Sequence, residues 1–185
     1  MDQEQLIKQC LKNNRASQKL LYDKYKMVML GVCYRYTKSI HDAEDVLQEG
    51  FIKVFTKLKQ YKNEGELGAW IRRIMINSAL NYLKRNARFR EEISNNSTDM
   101  HPVTNDDPQV LLNAKELAVL IRQLPAGYQT IFNLHAVEGY THPEIGEMLG
   151  ITDSTSRSQY TRARVMLLNW VKNYYFDYKM QAHAK

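Results

Sequence analysis

The chain has 185 residues, 44% of them hydrophobic and 25% charged, with a formal net charge of +6. This is the profile of a soluble globular protein, long enough for one large domain or two small ones. No run of about 18 apolar residues occurs, so no membrane span is expected; the acidic, polar opening MDQEQLIKQC is unlike a signal peptide, and a cytoplasmic location is expected.

The charge is laid out in blocks. Residues 1–90 hold 18 Lys/Arg against 9 Asp/Glu, residues 91–113 hold 5 acids and no Lys/Arg, and residues 114–185 hold 8 against 6. Apolar residues recur at helical spacing with almost no period-two alternation. This predicts an all-α fold, with helices at about 2–13, 16–38, 41–59, 66–89, 109–123, 126–138, 142–149 and 153–174. The run REEISNNSTDMHPVTNDDP has too few apolar residues to fold alone. It reads as a flexible acidic linker, 91–108, joining two small helical domains, 1–90 and 109–175, with 176–185 as a frayed tail. Cys10 and Cys33 lack a paired spacing and read as reduced, partly buried thiols. His41, His101, His135, His142 and His183 are scattered without ligand spacing, so no metal and no cofactor is expected.

In HDAEDVLQEGFIKVFTKL, one helix face carries Leu47, Phe51, Val54, Phe55 and Leu58 and reads as core. Asp42, Asp45, Glu49 and Lys53 fall on the other, flanked by Val46, Gln48 and Ile52. Two readings are open for this acidic face: a solvated surface with acids at the positive end of the helix dipole, or a docking surface for a basic partner, with Val46 and Ile52 exposed among the acids. Paired catalytic carboxylates would need a pocket that drives their pKa values apart, which an exposed face does not supply.

Tyr61, Lys62, Asn63 and Gly65 follow as a loop that combines an aromatic ring with a cation, a pairing suited to an unstacked base. The segment AWIRRIMINSALNYLKRNAR then places Ile71, Met75, Ile76, Ala79, Leu80, Tyr82 and Leu83 on one side at 100° per residue. Opposite lies a narrow row of Trp70, Arg73, Asn77, Asn81, Lys84 and Arg88, with no acid in it. Cations can meet phosphates, and amides offer donor and acceptor together for base edges; a plain basic solvent face is the alternative.

The strongest local pattern is EGYTHPEIGEMLGITDSTSRSQYTRARVMLLNWV. Thr141 and Glu144 have the spacing of a capping box, Pro143 sits in a first turn, and Gly146 allows a second helix to cross closely. Gly150 suits a left-handed helix end, Ile151 buries, and Thr152 caps the next helix. That helix turns Ser156, Tyr160, Ala163, Leu167 and Trp170 inward, and Ser154, Arg157, Ser158, Thr161, Arg162 and Arg164 outward. A short helix, a glycine turn and a longer basic helix make the unit that lays its second helix in a major groove.

Taken together, the chain resembles the sigma-70 family of RNA polymerase sigma factors, in its compact extracytoplasmic-function (ECF) group, over residues 16–90 and 109–172. DAEDVLQEGFIKVF resembles the region 2 segment that binds the β′ clamp helices of polymerase, which implies docking by Asp42, Asp45, Gln48 and Glu49. WIRRIMINSALNYLKR resembles the helix that recognises and opens the −10 element. This implies DNA contact by Arg73, Asn77, Asn81, Lys84 and Arg85, to which the residue pattern adds Tyr61, Lys62, Asn63 and Arg88. LPAGYQTIFNLHAVEGYTHPEIGEMLGITDSTSRSQYTRAR resembles region 4, which reads the −35 element and packs on the β flap. The implied contacts are Arg157, Ser158, Thr161 and Arg162, with Ser154 and Arg164 beside them. Ser156 stands where many relatives carry Val, and Gln159 where many carry Arg. The resemblance implies a non-catalytic subunit whose partners are core RNA polymerase, promoter DNA and an anti-sigma factor. The alternatives are a stand-alone helix-turn-helix regulator, and a helical metal-dependent hydrolase using Asp42, Glu44, Asp45 and Glu49.

Overall fold

The computed structural model describes residues 2–62, 64–85 and 113–183 together with Phe89, Glu91 and Ile93, and of 174–183 the backbone alone. Among the described residues every element is helical, and the chain divides into two units, Met1–Asn86 and Ala87–Lys185.

The first unit contains α1 (Gln3–Leu11), α2 (Arg15–Tyr34), α3 (Ile40–Lys57), a 3₁₀ turn (Leu58–Gln60) and α4 (Leu67–Lys84). Its first three helices start where a short polar side chain takes an orphan backbone N–H: Asp2 accepts from Gln3, Asn14 from Ser17 and Ser39 from Asp42, each such cap contributing about 1 kcal/mol. Helices α2, α3 and α4 pack pairwise, and α1 lies against α2 and the 3₁₀ turn. Leu21, Val32, Val54, Leu58, Leu67, Ile71 and Met75 are buried between them, at about 1.5–3 kcal/mol each for the larger side chains. A Cβ at Gly50 would run into the Met75 thioether, so glycine is what lets α3 approach α4. Both cysteines are buried and free; burial raises the Cys10 pKa and pushes the Cys33 thiol up to about 12.

The second unit contains α5 (Ala114–Gln123), α6 (Ala126–Phe132), α7 (His142–Leu149) and α8 (Asp153–His183). Its core joins Ile121 and Leu124 to Ala163 and Leu167, with Tyr128, Phe132 and Trp170 packed around them. Helix α5 opens on an Asn113–Glu116 capping box.

Several expectations change. Val46, expected among exposed acids, is 1% exposed: a residue on the flank of α3 is reached by two packing neighbours, α2 and α4, rather than one. The helix expected over 126–138 changes pitch and becomes a π turn at Asn133–Val137. Helix α8 continues to His183 rather than ending at 174, and no Gly or Pro after Asp153 interrupts it. Ile93, within the expected linker, is 5% exposed, and Phe89, just before it, is 2% exposed; residues 94–108 lie outside the described residues. No helix among the described residues is long and apolar enough to cross a membrane.

Candidate nucleic-acid interfaces

Helix α4 has the two-sided character its sequence predicts. Ile71, Met75, Ile76, Ala79, Leu80 and Leu83 are buried, while Arg73, Asn77 and Asn81 are exposed one helical turn apart, with Lys84 half-exposed after them. Arg88 and Asn63 lie outside the described residues. Tyr61 is engaged within its own loop: its hydroxyl donates to the Gly65 carbonyl at 2.7 Å and its ring centroid lies 5.5 Å from that of Trp70. Tyr61, expected near an unstacked base, and Trp70, expected in the polar row, therefore form one cluster at the start of α4, next to exposed Lys62.

Two acids of α3, Asp42 and Glu49, are partnered across the α3–α4 contact, which the sequence reading missed. Ser39 donates to Asp42 at 2.6 Å, and hydrogen bonds from Ser39 and Tyr82 hold the Asp42 carboxyl below its ordinary range. Burial, then the bond to Asp42, pushes the Tyr82 hydroxyl up to about 12. Glu49 takes Arg85 in a two-pronged pair at 3.2 and 3.5 Å, with Lys53 at 3.9 Å, and Lys53 also donates to Ser78 at 3.0 Å. Asp45 and Gln48 stay exposed. Glu49, expected on polymerase, and Arg85, expected on DNA, thus hold each other. Among the described residues no three His, Cys, Asp or Glu converge as metal ligands.

The helix-turn-helix folds as its sequence predicts. Thr141 and Glu144 cap each other, the Thr141 N–H donating at 2.7 Å and the Glu144 N–H at 3.4 Å. Gly150 ends α7 at φ 74°, and the Thr152 hydroxyl accepts from the Thr155 N–H at 3.1 Å. The close approach at Gly146 is by the turn, not by a second helix: an added Cβ would lie 2.8 Å from the Ile151 carbonyl oxygen. Ser154, Arg157, Thr161 and Arg164 are exposed along the start of α8 and Ser158 is half-exposed. Asp153, one turn before Arg157, holds it at 3.2 Å. Arg162 departs from expectation. It is half-buried, and its Nε and Nη1 are shielded from solvent without a partner.

The joint between the two helices contains a histidine pair that sequence spacing gave no reason to connect. The His135 and His142 rings stack with centroids 4.2 Å apart, against Tyr160. His135 Nδ1 donates to the Tyr140 carbonyl at 2.8 Å, and His142 Nδ1 lies 2.9 Å from the Ser156 hydroxyl. Burial first, then His135 and Arg157, push the His142 pKa below its usual value, while Asp153 pulls it up. The folded unit therefore binds fewer protons than the unfolded chain, whose histidines titrate near about 6.5. The stability held by neutral His142 is complete above that pH and is lost as pH falls below it. The melting temperature of the second unit should drop between pH 7.5 and pH 5, and His142→Gln should flatten the profile; parallel profiles in thermal melts would refute this.

The chain matches the family model described as sigma-70 region 2 over residues 21–89 and that described as sigma-70 region 4 over 114–167. It is 28% identical to the ECF RNA polymerase sigma-E factor of Haemophilus influenzae, over 90% of this chain and 94% of that protein. It is 27% identical to the RNA polymerase sigma-H factor of Pseudomonas aeruginosa, over 87% and 89%. Against the ECF RNA polymerase sigma factor SigE of Mycolicibacterium smegmatis the identity is 31%, over 76% of this chain and 56% of that one. The fold is similar to that of the sigma factor RpoE solved in complex with the anti-sigma factor NepR from Bartonella quintana, with a TM-score of 0.52 at 18% identity, covering 83% of this chain and 96% of that one. With both regions matched in order on one chain, and with relatives aligned along nearly their whole length, the protein belongs to the sigma-70 family, in its ECF group.

Proposed function

We propose that the chain is a sigma factor that binds core RNA polymerase and directs it to promoters in the cytoplasm, as a specificity subunit without catalysis of its own. The observation that carries the assignment of sites is the acid-free row Arg73–Asn77–Asn81, exposed on a helix whose opposite side is buried, within the stretch that matches region 2. Cations on phosphates fix register, and amides read base edges. In this reading the row, with Tyr61, Lys62, Asn63, Lys84, Arg85 and Arg88, serves the −10 element. Ser154, Arg157, Ser158, Thr161, Arg162 and Arg164 serve the −35 element, with the second unit also packing on the β flap.

Asp42, Asp45, Gln48 and Glu49 are assigned to the β′ clamp helices. Exposed Asp45 and Gln48 are free for a partner at once. Glu49 must first release Arg85, and since exposed ion pairs contribute only about 0–1 kcal/mol, the exchange is easy. Polymerase that takes Glu49 thereby frees Arg85 for DNA. The acidic stretch 91–108 would thread a cationic channel of polymerase until RNA displaces it. Two modest DNA sites joined by a tether gain avidity once polymerase fixes their spacing, so the free chain binds promoters weakly. An anti-sigma partner is part of the proposal, by extension from the Bartonella quintana relative.

Run-off transcription with core polymerase tests the reading. Initiation should depend on the chain, and Asp45→Ala/Glu49→Ala should weaken it at least about tenfold, on the 2–5 kcal/mol that losing a desolvated charge pair at an interface costs. No initiation across a promoter library, with DNA binding by the chain alone, would point instead to a stand-alone regulator.

A further inference from the structure

Helices α7 and α8 are joined at the glycine turn, and a buried polar pair ties them a second time. His142 opens α7 and Ser156 lies in the first turn of α8. They are 8% and 0% exposed, and His142 Nδ1 lies 2.9 Å from the Ser156 hydroxyl. The pair is backed by aromatic rings. His135 stacks on His142 at 4.2 Å with its own Nδ1 engaged by the Tyr140 carbonyl, and Tyr160 of α8 lies 4.6 and 5.7 Å from the two imidazoles. Apolar contact is non-directional and tolerates a helix turning about its axis, whereas a hydrogen bond weakens steeply outside a narrow range of length and angle. Arg157 follows Ser156 directly, and Ser154, Arg157 and Thr161 are exposed on the same helix. A rotation of α8 that broke the bond to His142 would swing those three side chains through the same angle.

We propose that His142 and Ser156 are positioning residues, whose buried bond fixes the rotation of α8 about its own axis and so aims its outer face at the upstream promoter element. This rests on the DNA-binding reading given above and adds what orients it; both side chains are buried, so neither touches DNA. The tie holds while His142 is neutral. The elements packed on α7 are the π turn and α8. The π turn presents His135 to the ring, and α8 presents Asp153, Arg157 and Tyr160, with Arg164 over the Tyr160 ring at 6.0 Å. A proton on His142 would set a cation against a second imidazole and near Arg157, in a place closed to water. Asp153, the acid that opposes this, is already paired with Arg157. An imidazolium therefore leaves the pocket, and α8 loses its second tie.

The test is run-off transcription by the full-length chain with core polymerase, from one library promoter and from the same template with its upstream element scrambled. The ratio of the two yields isolates α8, because docking, the −10 row and the polymerase's own pH dependence enter both. Ser156→Ala, which removes only the hydroxyl, should lower the ratio about fivefold, as the loss of one buried hydrogen bond predicts. His142→Leu should do the same, and the double variant should lose no more than either alone, since the two share one bond. His142→Gln, whose amide can still meet the Ser156 hydroxyl, should keep the wild-type ratio. From pH 7.5 to 5.5 the wild-type ratio should fall, against the ordinary rise of DNA affinity with added positive charge, while that of His142→Gln stays level. Circular dichroism at the assay temperature and pH accompanies each yield. A wild-type ratio in Ser156→Ala, parallel pH profiles in the wild type and His142→Gln, or a ratio that falls only where helix content is lost overturns the positioning role. Equal yields from the two templates in the wild type remove upstream recognition and the positioning role together, with the sigma reading intact. Absence of initiation from either template removes all three. Should His142→Leu lose its cooperative melt, Ser156→Ala and the pH profile of His142→Gln decide.

Discussion

Gly146→Ala should destabilise the second unit even though alanine is the better helix former. In an ordinary helix the exchange gains about 1 kcal/mol. Here the new Cβ lands 2.8 Å from the Ile151 carbonyl oxygen, closer than real contacts of this kind come, and the oxygen cannot retreat. Its residue is held by the turn itself, where the Gly150 and Ile151 N–H groups both donate to the Gly146 carbonyl, at 2.8 and 3.0 Å. Relief requires moving the turn that sets α7 against α8, and strain of this sort costs about 1–3 kcal/mol. Gly146→Val, bulkier and β-branched, should cost more and lower the melting temperature by roughly 10–20 °C for a unit of this size. The first unit, with its own core, should melt as before. Two-probe thermal melts check the claim, and an alanine variant as stable as wild type would show that the close approach is not real. Recognition of the upstream promoter element should fail with the valine variant, because the glycine turn positions α8.

The second large effect concerns α4. Arg73→Ala/Asn77→Ala/Asn81→Ala should leave the melting temperature nearly unchanged, since all three side chains are exposed. It should reduce promoter-directed initiation by about 10²–10⁴-fold, on the basis of about 1–3 kcal/mol for each base-reading contact with incomplete additivity. Polymerase binding, followed by co-elution with core enzyme, should persist. Retained initiation would remove the row from the −10 assignment, whereas lost core binding would mean that α4 serves docking instead. The triple variant and the α3 double variant therefore separate two surfaces that lie side by side in one unit.

What could be read from the sequence is what depends on neighbours along the chain. Thr141, Glu144 and Gly150 specify the ends of α7 within ten residues, and the structure follows them. The apolar side of α4 follows from spacing alone. What escaped depends on contacts made across the chain. Glu49 meets Arg85 and Lys53 meets Ser78 because α3 and α4 are packed, and no helical wheel contains both partners. Val46 looked exposed because a wheel has one inner side, whereas α3 has neighbours on two. His135 and His142 sit on either side of a turn, and their stacking needs both the π turn and α7 in place. Arg162 was placed outward on its angular position, yet it is half-buried, and a wheel drawn for α8 alone cannot show what packs around it.

The buried thiols carry a last consequence. With burial pushing the Cys33 pKa up to about 12, its side chain stays a thiol at neutral pH, and the thiolate is the form that peroxides and disulfides attack. Cys10, 3% exposed with its pKa also raised, offers little more. The two cysteines are therefore poor targets for oxidants in the folded chain.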